Sequence, residues 1–373
     1  MNASALLVGA RRVVVKVGSS LLIQAEGGVR AAWLRSLADD IAALRTAGKE
    51  VLVVSSGAVA LGRRHLGLKP SARLDHKQAA AAAGQTLLMQ AWEAAFAPHG
   101  VPTAQLLLTF DDTERRRRWL NARATIAVLL AQGALPVINE NDSVATDELR
   151  YGDNDRLSAR VAQMIKADLL LLLSDVDGLY SADPARDPAA AHIPEVGEVD
   201  AGVEAMAAGP ASGIGSGGMR SKLVAARIAS GAGCATLITS GREENPIDAL
   251  AKGARATAVA AKGSAAGAYK QWIAGTLKPA GSLAVDAGAA RALAGGKSLL
   301  PAGIVAVTGA FERGVCLSIL DPDGCELARG ISAYNSDEAR ALAGHPSSRI
   351  EQLLGYGGPD ALIHRDDLVM LAR

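Results

Sequence analysis

Residues 168–173, DLLLLL, restrict what this chain can become. Five successive leucines cannot alternate between a wet and a dry face, so the segment reads as a short strand covered on both sides. Similar short apolar runs recur upstream and downstream: RVVVKV at 12–17, VLVV at 51–54, TAQLLL at 103–108, LPVI at 135–138 and ATLIT at 235–239. Helical signals fill the gaps. Leu34, Leu37, Ile41 and Leu44 recur at helical spacing with Gly48 behind them, and the alanine-rich segment 78–97 has high helix propensity. Asp111 or Asp112 is the expected cap of a helix reaching Gln132, and residues 156–166, 200–208, 219–230 and 246–252 read as further helices. Residues 184–199, rich in Pro, Asp and Ala, read as a loop or hairpin over the sheet. The fold class is therefore α/β, an open, mainly parallel sheet sandwiched by helices through right-handed crossovers.

The core has to be built from Ala, Val, Leu and Ile, because apolar residues make up 49% of the chain and aromatics only 3%. A length of 373 residues exceeds what one core serves. Periodicity weakens from Arg255, and beyond Gly281 the chain changes to short strands with tight turns, including Asp321-Pro322-Asp323-Gly324. The expected division is 1–265 for the sheet-and-helix domain, 266–280 for a linker and 281–373 for a small β-rich domain. A net charge of +1 gives no global field for nucleic acid or an anionic membrane, which leaves small molecules as partners. Three scattered cysteines make neither a disulfide framework nor a closed zinc site, and the six histidines are isolated, so no protein-held metal is expected. No stretch approaches bilayer-spanning length and residues 1–10 carry no basic leader, which makes the expected location cytoplasmic.

Ligands of open sheets bind beyond the carboxyl ends of the strands, so the residues after each strand can be pooled. They are Lys16 with Gly18 and Ser19, then Ser56 and Gly57, then Asn139 and Asp142, then Ser174 and Asp175. Lys16 can alternatively extend its stem and leave its ammonium in water, and Ser56 can be a helix cap. The stretch 136–155, PVINENDSVATDELRYGDND, adds the amides of Asn141 and Asn154 and the carboxylates of Asp147, Asp153 and Asp155. Such a lining suits a zwitterion, although Asn and Asp also form solvated turns. Residues 215–222, GSGGMRSK, run into a helix whose amino end can cradle polyphosphate. Gly213, Gly215 and Gly218 satisfy GxGxxG, but no strand precedes them, and there is no Walker sequence. The charge run 114–118 is most simply a solvated face. Two lysines, glycine-rich turns and a zwitterion-compatible loop point to phosphoryl transfer.

The segments VVVKVGSS, VVSSGAVALG, PVINENDSVAT, GDND, LLLSDVDGLY and GSGGMRSK, in this order, resemble the amino acid kinase family, and within it the glutamate 5-kinases. The tail, with SLLPAGI, GISAYNSDE and HRDD, is similar to the PUA domain appended to many of these kinases. The resemblance implies ATP-dependent phosphorylation of the γ-carboxylate of L-glutamate, the first step toward proline, with Mg2+ accompanying the nucleotide. It implies that Lys16 and Lys222 flank the transferring phosphoryl group and that Asp155 orients them. Ser56, Gly57, Asp142 and Asn154, with Asn139 nearby, would hold glutamate. ATP would contact Lys16, Ser174, Asp175, Ser216, Gly217, Gly218, Met219, Arg220, Ser221 and Lys222. The family usually has Thr where Ser174 and Ser221 stand, which keeps a hydroxyl, whereas Arg220 in this loop is unexpected. Feedback inhibition by proline and a homo-oligomer, dimer or tetramer, are also implied. The alternatives are an acetylglutamate or uridylate kinase, which the appended domain argues against, and an RNA-binding PUA protein. From Gly281 onward eight Lys and Arg stand against eleven Asp and Glu, which lacks the basic footprint RNA requires.

Overall fold

The computed structural model describes residues 2–371, apart from 25–27, 71–72, 146–153, 185, 208–217, 265–266, 268, 271–272 and 275–277. The chain divides into two compact units, Met1–Ala265 and Ala266–Arg373.

The first unit is organised by an eight-stranded sheet. Its strands are β1 (Arg12–Val17), β2 (Glu50–Ser55), β3 (Thr103–Leu108), β4 (Leu135–Glu140), β5 (Leu169–Ser174), β8 (Glu195–Val196), β9 (Ala235–Ser240) and β10 (Ala256–Val259). Two further short strands, β6 (Leu179–Tyr180) and β7 (His192–Ile193), pair with each other as an antiparallel hairpin. The order across the large sheet is β3-β4-β2-β1-β5-β9-β10-β8. Every pairing from β3 to β9 is parallel, and only β10 runs antiparallel to β9. The leucine run is buried along its whole length in β5, as the absence of a polar face requires.

Three readings of the sequence need correction. Thr109, not Asp111 or Asp112, caps the helix after β3; its side chain accepts from Asp112 N while Asp112 reaches back to Thr109 N. That helix is short, Phe110–Glu114, and a separate one runs Arg116–Ala131. The large sheet also extends beyond Arg255, since β10 is a fully buried strand. Its sequence, ATAV, shows no alternation because neither face is wet.

Helices cover both faces. Val13, Val15 and Val17 of β1 pack with Trp33, Leu34, Leu37 and Ile41 of the helix Ala31–Thr46, and with Leu88, Trp92 and Phe96 of the helix Leu74–Phe96. Alternation along a strand sends Val14 and Lys16 to the opposite face. There the helix Asn154–Ile165 lies against β1, β2, β4 and β5 and beside the helix Met219–Gly231. On the first face the helices Ala58–His65 and Leu74–Phe96 cross at backbone contact: a Cβ on Gly62 would stand 1.7 Å from Ala80 O, and one on Gly84 1.8 Å from Ala58 O. Among the described residues no helix is long and apolar enough to cross a membrane.

The second unit holds a five-stranded sheet of Ser282–Val285, Ile304–Thr308, Cys316–Leu320, Glu326–Ile331 and Leu368–Met370 around a core that includes Leu283, Leu317, Ile319, Tyr334 and Leu362. The turn expected at Asp321 forms: Asp321 Oδ1 accepts from Asp323 N and Cys325 N, and Gly324 takes φ 81°. Upstream of the sheet, buried Tyr269 donates to Asp367 Oδ1 and Arg329 donates to Ala274 O.

Candidate active site

The strand order reverses at β1. From β1 the chain moves to β2 on one side, goes outward to β3 at the edge, comes back to β4 between them, and then crosses to β5 on the other side. Carboxyl ends diverge at such a switch point and open a crevice. Lys16 sits there, paired with Val54 of β2 and Leu172 of β5. Its stem does not run out to water: Lys16 is only 5% exposed, and Nζ lies 2.6 Å from Asp155 Oδ1. The alternative reading, an ammonium left in solvent, is corrected.

Asp155 stands in the first turn of the helix Asn154–Ile165 and is completely buried. Lys222 Nζ approaches its Oδ2 at 3.3 Å, and Ser221 Oγ donates to the same oxygen at 2.7 Å. Lys222 is 4% exposed and comes from the first turn of the helix Met219–Gly231, which Gly218 precedes. Three elements far apart in sequence thus bring two ammonium groups onto one carboxylate. Burial raises the Asp155 pKa most, but the charges of Lys16 and Lys222 and the hydrogen bonds from Lys16 and Ser221 outweigh it and hold the carboxyl below its usual range. Among the described residues, two ammonium groups and one carboxylate leave one net positive charge, which is what a phosphoryl group in flight needs.

A second cluster adjoins the first through the peptide between Asn154 and Asp155. Asn154 Nδ2 donates to Ser55 O at 3.0 Å, to Ser56 Oγ at 2.8 Å and to Asn139 Oδ1 at 2.8 Å. Ser56 therefore receives from Asn154. The cap of the following helix, Ala58–His65, is Gly57, whose φ of 112° is the left-handed conformation that favours glycine. The capping role considered for Ser56 is corrected accordingly. Asp142 is half-buried on the turn after β4.

At the end of β5, Ser174 is buried and donates to the exposed Asp175, Oγ to Oδ1 at 3.1 Å. Met219 is half-buried and Arg220 exposed where the helix Met219–Gly231 begins. Ser216 and Gly217 lie outside the described residues, as do Gly213 and Gly215, and Asp147 and Asp153 of the 136–155 stretch.

Two residues escaped the sequence reading. Gln85 accepts from Asn139 Nδ2 at 2.9 Å, and Trp92 Nε1 donates to Ser55 Oγ at 3.1 Å. A signal existed for Gln85: it falls on the stripe Ala81, Leu88, Trp92 of an amphipathic helix, where an amide is out of place unless it has a partner. Among the described residues no group of three His, Cys, Asp or Glu side chains could hold a metal ion.

Residues 11–240 match the amino acid kinase family and residues 281–354 match the PUA domain. The chain is 57% identical over 365 residues to the glutamate 5-kinase of Paramagnetospirillum magneticum, covering 98% of this chain and 99% of that one. It is 58% identical over 366 residues to the glutamate 5-kinase of Caulobacter vibrioides, with 97% of each covered. Among solved structures, carbamate kinase from Giardia lamblia bound to AMP-PNP shares the fold of the first unit, with a TM-score of 0.50 at 18% identity over 68% of this chain and 100% of that one.

Proposed function

This chain belongs to the amino acid kinase family, and on that premise we propose that it transfers the γ-phosphoryl group of ATP to the γ-carboxylate of L-glutamate, giving L-glutamate 5-phosphate. The observation that carries the reading is the buried Lys16–Asp155–Lys222 cluster lying one residue from the Asn154 network.

A carboxylate is already ionised at neutral pH, so the attacking group needs no general base. The obstacle is repulsion between an anionic nucleophile and an anionic phosphate. Lys16 and Lys222 answer it by placing two ammonium groups where charge spreads over the phosphoryl oxygens, while Asp155 fixes them and prevents their mutual repulsion. Ser56, Gly57, Asn139, Asp142 and Asn154 would line the glutamate site. Ser174, Asp175 and residues 216–222 would hold ATP, with residues 218–222 at the amino end of a 13-residue helix. Magnesium would accompany the nucleotide and screen its phosphates.

The same reading makes residues 1–265 the kinase domain and 281–373 a PUA domain of a cytoplasmic homo-oligomer. It makes the reaction the first step of proline synthesis, with proline competing at the glutamate site. The acidic balance of residues 281–373 weighs against RNA as partner.

The test is to incubate the protein with ATP, magnesium and hydroxylamine together with either glutamate or N-acetylglutamate. An acyl phosphate is trapped as its hydroxamate, and product with glutamate is expected. Product with the acetylated acid alone would overturn the assignment.

A further inference from the structure

We propose that Gln85 is a positioning residue that fixes which way the amino-acid site presents its donors and acceptors. This inference rests on the reading of that site given above. Gln85 is 8% exposed, and its Nε2 is buried with no hydrogen-bond partner among the described residues. A buried amide donor left unpaired is costly, so the other end of the side chain must justify it.

Two backbone groups determine the polarity of the whole network, because neither can be reversed. Glu140 N donates to Asn139 Oδ1 at 2.9 Å, so Asn139 must turn its oxygen that way and its Nδ2 toward Gln85. Ser55 O accepts from Asn154, so Asn154 must turn its Nδ2 inward. The three amides then agree: Gln85 Oε1 accepts from Asn139, and Asn139 Oδ1 accepts from Asn154. What remains is an outward pattern. Asn154 Oδ1 accepts from none of the described residues, which suits an ammonium group, and Ser56, whose oxygen already receives from Asn154, keeps its proton for a carboxylate.

Removing the Gln85 acceptor would leave Asn139 Nδ2 as a buried, unpaired donor. Turning that amide over is no remedy, since Nδ2 would then oppose Glu140 N. Asn139 would have to move, and Asn154 and Ser56 would lose their fixed orientation toward the substrate. A glutamic acid at position 85 preserves the acceptor, burial raising its carboxyl pKa toward the neutral form, and gives up only an amide donor that has no partner among the described residues.

Steady-state hydroxamate kinetics of Gln85→Leu and Gln85→Glu test this, with thermal melting run alongside. In Gln85→Leu the KM for glutamate is expected to rise about 10- to 100-fold, the factor that one unpaired buried donor commands, while the KM for ATP changes by less than about twofold. Gln85→Glu should bring the glutamate KM back to within about fivefold of wild type. If Gln85→Leu does not fold, Gln85→Met repeats the test with side-chain length kept. An unchanged glutamate KM, an equal rise in both KM values, or a Gln85→Glu as impaired as Gln85→Leu would overturn the proposal. Wild-type hydroxamate formation from another acid alone would instead remove glutamate as substrate, and the Gln85 comparison would be run with that acid.

Discussion

Replacing Asp155 by Asn removes one negative charge from between two ammonium groups that have almost no water around them. The nitrogens lie 2.6 and 3.3 Å from the two carboxylate oxygens, so their separation is at most about 8 Å given the ~2.2 Å span of a carboxylate. At an effective dielectric constant near 20, two unit charges that far apart repel by about 2 kcal/mol. Lost attraction adds to this, and removing one partner of a buried ion pair costs about 3–5 kcal/mol in total. For a domain of this size Asp155→Asn should lower the melting temperature by about 10 °C. Turnover should fall by about 100-fold or more, because the ammonium groups lose the anchor that aims them. The effect has a pH signature. The folded carboxyl titrates below its usual value, so its stabilisation is complete above about pH 4 and is lost as pH falls through the depressed pKa. The gap in melting temperature between wild type and Asp155→Asn should therefore be flat from about pH 8 to about pH 5 and shrink below about pH 4. Melting curves across that range, paired with steady-state kinetics, measure both. A variant that melts within about 2 °C of wild type and keeps turnover within about threefold would refute the reasoning.

Lys16→Met keeps the stem and deletes the charge; kcat should drop about 100- to 1,000-fold while the KM for glutamate moves by less than about threefold, and unchanged turnover in the hydroxamate assay would remove Lys16 from the mechanism. Gly84→Ala drives a Cβ to 1.8 Å from Ala58 O, a backbone atom that cannot swing aside, so a loss of at least about 1–3 kcal/mol is expected in denaturant unfolding. Native protein should react with a thiol reagent at Cys325 and not at Cys234: the first is exposed, while burial, with Asp168 nearby, pushes the Cys234 thiol well above its normal pKa. Mass mapping of the labelled peptides would settle which cysteine reacts.

Local patterns in the sequence determined a good deal about this protein. Runs such as RVVVKV and DLLLLL read as covered strands because they are short and rich in branched residues, and the helical spacing between them points to a parallel sheet. The same logic made Lys16, Asn154, Asp155 and Lys222 candidates, because an ionisable or amide group at a strand or helix end beside glycine is a poor way to build a core. Local pattern failed where burial was total or a partner was distant. The strand Ala256–Val259 has no alternation to read, and Thr109 was hidden behind two aspartates that are equally good caps on paper. Only the tertiary structure decided that Lys16 turns inward, because its partner lies 139 residues away on the helix that covers the face to which Lys16 points. Only it decided the direction of each amide from Gln85 to Asn154, since that depends on backbone groups of two strands that a linear reading cannot bring together. Side-chain chemistry is written in the sequence; the sign and aim of each hydrogen bond come from what packing places opposite it.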